Sequence, residues 1–215
     1  MKPFRSLLAA QALLTLALAA GPAVTRGATP AATQPPAGLY HVDKAHTSVT
    51  LRVNHLGFSH YTARFSRVDG ALRFDPAHPG AMHVEASIDP TSLELNTPPT
   101  GFHEELMGEA WFAAVKFPQI TFRSTQVKLT GAHTAKVTGD LTLHGVTRPV
   151  VLDVTYNGGW PSKEYDPGGR VGFSAHGVFK RSAFGIAGGI PAPGSNMGVS
   201  DEVEVMIETE FSGKA

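Results

Sequence analysis

From residue 47 onward the chain alternates apolar and polar side chains with a period of two, and glycines, prolines and short polar runs interrupt it at close intervals. Thr47, Val49, Leu51, Val53 and His55 share one face of a strand, with Ser48, Thr50 and Arg52 on the other. Phe65, and then Leu72 to Phe74, mark two short strands around "VDG", a turn signal. Met82, Val84, Ala86 and Ile88 alternate against His83, Glu85 and Ser87, and the same pattern returns in "QITFRSTQVKL", "AKVTGDLTLH", "PVVLDVTY" and "RVGFSAHGVF". In the last strand Val203, Val205, Ile207, Thr209 and Phe211 oppose Glu202, Glu204, Met206, Glu208 and Glu210, one face for a core and one for water. The pattern predicts an all-β domain of about eight or more antiparallel strands joined in sequence. Closing such a sheet into a barrel removes its exposed edges; a two-sheet sandwich satisfies the same periodicity.

One stretch breaks the pattern. In "TPPTGFHEELMGEAWF", residues 97–112, Phe102, Leu106 and Ala110 recur at helical spacing, and Glu104 and Glu105 stand early, where the helix dipole favours them. This predicts a short amphipathic helix whose apolar stripe plugs one end of the sheet, or whose Trp111 and Phe112 line a ligand mouth. The segment "DLTLHGVTRPVVLDV", residues 140–154, reads as a hairpin, with Gly145 to Arg148 reversing the chain. Gly145 tolerates the positive φ of a tight reversal, and Pro149 enters the next strand near its start, where a missing N–H does little harm. His144 and Arg148 then need no catalytic role. Arg148 is either a solvated turn charge or a cation placed to meet an anionic head group.

The two ends and the composition narrow the picture further. Residues 1–19 read as a secretory signal peptide: Lys2 and Arg5, an apolar run from Leu7 to Ala20, and Ala17-Leu18-Ala19 as the cleavage site. Residues 20–37 read as a flexible leader of small residues and prolines, and 38–215 as the folded domain. The expected location is periplasmic or secreted, with no transmembrane segment after processing. The chain has 18 basic and 18 acidic residues and no basic run, which gives no electrostatic footprint for nucleic acid. It has no Cys, which excludes disulfides, thiolate metal sites and a Cys nucleophile.

Candidate chemistry is sparse. None of the ten histidines shows the spacing of a metal-binding helix, so no metal site is expected; pairs such as His46 and His55 could meet only through tertiary structure. "GFSAHG" at 172–177 lacks the spacing and setting of a nucleophile elbow. Glu104 and Glu105 are adjacent and point apart, and no dinucleotide or phosphate loop occurs. "FGIAGGIPAPGSNMG" reads as a long flexible loop.

Taken in order, "YHVDKAHTSVTLRVNHLGFS", "EAWFAAVKFPQITFRST", "GDLTLHGVTRPVVLDV", "FKRSAFGI" and "VSDEVEVMIETEF" resemble the YceI-like family of bacterial periplasmic polyisoprenoid-binding proteins, from about Tyr40 to Phe211. The resemblance implies a lipocalin-like, extended antiparallel β-barrel with a helix near one end, holding a long isoprenoid or related amphiphile and performing no catalysis. It implies no cofactor other than that ligand. The residues expected to line the pore are Val49, Leu51, Val53, Phe65, Met82, Val84, Phe122, Leu141, Leu143, Phe173 and Phe184, with Trp111 and Phe112 near the mouth. Arg148 and Arg181 are the expected head-group contacts. The expected partner is a small lipid-like molecule, with homodimerisation left open. Period two tells which residues share a face, not which face turns inward. Three readings therefore stand: a carrier of isoprenoid-type amphiphiles, an enzyme acting on such a lipid, and a filled barrel with a structural or interaction role.

Overall fold

The computed structural model describes residues 34–164 and 166–213, so the expected signal peptide and most of the leader lie outside the described residues. The strands are β1 (Gly38–Val42), β2 (Ser48–His55), β3 (Ser59–Phe65), β4 (Val68–Phe74), β5 (His83–Ile88), β6 (Leu93–Glu94), β7 (Ile120–Leu129), β8 (Thr134–Leu143), β9 (Val146–Trp160), β10 (Arg170–Lys180) and β11 (Glu202–Gly213). The helix α1 spans Phe102–Met107. All pairings are antiparallel, and the order β1-β4-β5-β7-β8-β9-β10-β11 returns to β1, closing an eight-stranded barrel.

The closure uses β11 twice. Its C-terminal residues pair with β1 (Val42 opposite Phe211), while its middle pairs with β2, from Glu204 opposite Arg52 to Glu208 opposite Ser48. The wall therefore belongs to β1 at one end of the barrel and to the β2–β3 hairpin, edged by β6, at the other. Segment 95–117, with α1 inside it, packs against this second end through Leu106 and the half-buried Phe102, Trp111 and Phe112.

Two apolar clusters mark the two ends. Tyr40, Leu72, Phe74, Val171 and Phe211 form one at the β1 end, where the Tyr40 hydroxyl donates to the Pro36 carbonyl at 2.8 Å. Val49, Ala63, Phe65, Val68, Leu93, Leu106, Ile120, Leu143, Phe184 and Ile186 form the other. Outside, opposite charges face across strands, as in Arg52–Glu204 and Lys136–Asp153. The wall is thus apolar inside and charged outside, the reverse of a barrel whose outer face meets lipid.

The structure corrects several local expectations. The hairpin turn is His144-Gly145 alone, with φ of 51° and 74° and Leu143 opposite Val146, as a two-residue loop with two positive-φ positions requires. Thr147, Arg148 and Pro149 already belong to β9. "VDG" is not a turn but the start of β4; the chain reverses at Ser66-Arg67. Gly70 is needed for close packing, because a Cβ there would fall 2.6 Å from the Glu85 carbonyl oxygen across the sheet. The helix ends at Gly108, leaving Ala110 exposed beyond it. His46 and His55 lie at opposite ends of β2 and do not meet.

Candidate functional site

The inward residues of the strands enclose one long cavity of about 1110 Å³. Its wall is built by period two: Val49, Leu51 and Val53 from β2, Ala86 and Ile88 from β5, Leu152 and Val154 from β9, and Val203, Val205 and Ile207 from β11. A cavity of ~150 Å³ accepts a benzene ring, so this one has room for an amphiphile of some tens of carbons. At the β1 end the Tyr156 ring centre lies 5.3 Å from that of Phe173 and 6.2 Å from that of Phe74, both pairs tilted, giving an aromatic floor. At the helix end the Phe112 ring stands edge-on to Phe65 at 6.0 Å. Exposed residues line the cavity at both ends: Pro76, Leu129 and His133 near the floor, and His55, Asn96 and Pro98 beside the β2–β3 hairpin.

Of the residues expected from sequence, Val49, Leu51, Val53, Phe65, Met82, Val84, Trp111, Phe112, Phe122, Leu141, Leu143 and Phe173 all line this cavity. Phe184 does not. It is 1% exposed, sits in the short 3-10 turn after β10 and stacks edge-on against Phe179, so it closes the core instead of facing a ligand. Arg148 is exposed on β9 outside the cavity lining, with its Nε–H reaching the Ala183 carbonyl at 3.4 Å. Sequence reasoning missed Tyr61, Val137, Leu152, Val154, Tyr156, Ala175, Val205 and Ile207 as lining residues. The alternation in β9 and β11 carried the signal for most of them.

Arg181 does line the cavity, but four of its five N–H donors are occupied. Its Nε–H donates to Ser200 O at 2.9 Å, Nη1 to Ile186 O at 3.1 Å and Gly188 O at 2.7 Å, and Nη2 to Val199 O at 2.9 Å. Its guanidinium also lies 5.2 Å from the Trp111 ring centre. Burial lowers its pKa from the usual arginine value, against the weak opposing pull of Asp201. The side chain therefore pins the glycine- and proline-rich loop 185–200 across the helix end of the cavity. What reads from sequence as a free-swinging loop is tied to a buried cation.

Two polar groupings remain. Ser124 Oγ lies 3.0 Å from His83 Nδ1, and His83 Nε2 lies 3.2 Å from a Glu85 carboxylate oxygen, a chain of nucleophile, base and acid that sequence spacing did not reveal. Yet Ser124 Oγ accepts the Val84 N–H at 3.0 Å, at a point where β5 no longer pairs with β7 and β7 bulges after Ser124. The hydroxyl thus satisfies an otherwise orphaned backbone donor. Asp43, His46 and Glu210 lie close enough to share a cation, but Arg170 occupies that place. Its Nη1 lies 2.6 Å from Asp43, its Nε 2.8 Å from Asp166, and it also pairs with Glu210. Burial alone would raise the Asp43 pKa; the hydrogen bonds from Arg170 and His46 override it and lower the value to about 2.

Residues 40–211 match the YceI-like domain family. The chain belongs to that family. A protein named UPF0312 from Pseudomonas savastanoi pv. phaseolicola is 37% identical over 190 residues, covering 87% of this chain and 90% of the relative. The crystal structure of Burkholderia cenocepacia BcnA superposes with a TM-score of 0.65 at 25% identity, over 79% of this chain and 98% of that one. A polyisoprenoid binding domain from Saccharophagus degradans, implicated in plant cell wall breakdown, shares the fold with a TM-score of 0.59 at 15% identity, over 81% of this chain and 98% of that one. The YceI-like barrel thus spans nearly all of the described residues.

Proposed function

We propose that this YceI-like chain is a binding protein that takes one long-chain isoprenoid or similar amphiphile, such as a quinone, polyprenyl, fatty acyl amide or hydrophobic drug, into its barrel and performs no chemistry on it. The observation that carries the reading is the continuous apolar cavity of about 1110 Å³, walled by aliphatic side chains from strands all round the barrel. The polyisoprenoid binding named for the Saccharophagus degradans domain supports the same ligand class. Tail recognition by such a wall is permissive, since each buried carbon contributes about 0.8 kcal/mol regardless of its neighbours. Selectivity then comes from length. The leader "MKPFRSLLAAQALLTLALAA" supports a working location outside the cytoplasm, periplasmic or secreted.

Titration with prenyl alcohols of ten, fifteen and twenty carbons tests this. Each added five-carbon unit is worth at most roughly 4 kcal/mol at 0.8 kcal/mol per carbon, and the part retained in practice should still raise affinity by at least about tenfold per unit. Affinity that does not depend on chain length would overturn the proposal.

A further inference from the structure

The cavity end beside the β2–β3 hairpin is made of three segments that touch one another. Asn54 and Leu56 of the hairpin exchange backbone hydrogen bonds with Ser200 and Gly198 of loop 185–200, each at 2.9 Å. On the other flank the Asn96 N–H donates to the Tyr61 hydroxyl at 3.0 Å, joining segment 95–102 to the same hairpin. No Asp, Glu, Lys or Arg occurs in 53–63, 95–102 or 185–200, although charged residues make up 17% of the chain. Two large apolar side chains project from this uncharged sector into solvent, Phe58 at 84% exposure on the hairpin and Met197 at 71% on the loop. The hairpin tip and the loop stay together, because Gly57 lies directly against the Asn196 side chain.

From this we infer that the hairpin tip and loop 185–200 dock the protein on a lipid bilayer surface, with Phe58 and Met197 entering the headgroup–acyl boundary. The occupant follows from charge and position. A bilayer interface accepts apolar wedges whose surroundings carry no charge to desolvate, and an uncharged sector needs no anionic lipid. The same sector borders the cavity through His55, Asn96 and Pro98, so docking would bring the opening against the phase in which an isoprenoid dissolves. The floor end differs: its exposed apolar side chains project less, Leu39 and Leu129 at 52%, and it carries the Arg170 network with Asp43, Asp166 and Glu210, and the Asp75–His78 pair. A second copy of the chain is the weaker occupant, since a stable dimer needs about 800 Å² per partner and two isolated projecting side chains do not supply it. The inference rests on the carrier reading for its purpose but not for its geometry.

The absence of cysteine makes the test clean. An environment-sensitive fluorophore is attached to Met197→Cys in one protein and to Ala77→Cys, exposed at the floor end, in another, and each is mixed with phosphatidylcholine vesicles. The label at 197 should shift to the blue and become protected from iodide, while the label at 77 should not. Adding Phe58→Ser to the 197 protein should weaken partitioning about tenfold, the worth of one buried large apolar side chain. High salt or added phosphatidylglycerol should change little. Equal responses at 197 and 77, or none at 197, would overturn the inference. A blue shift that grows with protein concentration without vesicles would also overturn it, in favour of self-association. Binding of a fluorescent prenyl probe in vesicle-free solution is measured on the same proteins. Phe58→Ser should leave it intact, and its loss in wild type would sink the carrier reading while leaving the docking result standing.

Discussion

Ala175 offers the sharpest way to separate a hollow barrel from a filled one. It sits mid-strand in β10, opposite Val154 of β9 and Ile207 of β11, and all three line the cavity. A tryptophan there would project into open space between those neighbours. Its ring covers roughly 200 Å², area that a bound tail would otherwise occupy; at about 25 cal/mol per Å² that forfeits on the order of 5 kcal/mol, or more than a thousandfold in Kd. The stability cost should stay below about 1 kcal/mol, because the new atoms meet a void and not packed neighbours. Leu143→Trp is the contrast. Leu143 also touches the cavity, but it is 5% exposed and belongs to the packed cluster at the helix end. Overpacking it should cost about 1–3 kcal/mol or more. Urea unfolding of both variants, with titration of a fluorescent prenyl probe, gives the two numbers side by side. Wild-type affinity in Ala175→Trp would refute the cavity as the binding site, and a stability loss equal to that of Leu143→Trp would refute its hollowness.

Arg181→Ala removes the donor from four carbonyl oxygens of loop 185–200 and should cost about 3–5 kcal/mol, at roughly 1 kcal/mol or more for each group left without its partner. Because those donors are engaged, prenyl phosphate and prenyl alcohol should bind wild type within about tenfold of each other; a strong preference for the phosphate would return Arg181 to a head-group role. Asp43, held near a pKa of about 2 in the fold against 3.8 ordinarily, stabilises the protein fully above about pH 4 and loses that contribution as pH falls towards 2. The stability gap between wild type and Asp43→Asn should accordingly be about 2 kcal/mol at pH 6 and narrow between pH 4 and 2; a gap that does not move with pH contradicts the assignment. EDTA should leave the melting temperature unchanged, since Arg170 already fills the space among Asp43, His46 and Glu210, and a drop of several degrees would point to a cation there.

Much of the barrel wall was legible because alternation is a local property of the chain. Val203, Val205, Ile207 and Phe211 share one face of β11, with the acidic residues on the other, and the apolar face does line the cavity. What alternation cannot convey is how neighbouring strands approach. Gly70 looks like a turn residue in isolation, yet it sits inside β4, at a point where the Glu85 carbonyl leaves no room for a Cβ. Phe184 has the composition of a lining residue, but it follows β10 in a 3-10 turn where the period-two rule no longer applies. Arg181 was expected to face a head group; only the fold brings the carbonyls of residues 186, 188, 199 and 200 around it. The Ser124–His83 contact likewise joins residues 41 positions apart and has no local signature.

The central claim is that the barrel holds one amphiphile in its interior. Native mass spectrometry of the protein after incubation with a twenty-carbon prenyl alcohol, beside Ala175→Trp treated in the same way, tests it most directly. A single adduct per wild-type chain, absent from Ala175→Trp, is the predicted result. No adduct on wild type, or equal adducts on both proteins, would contradict it.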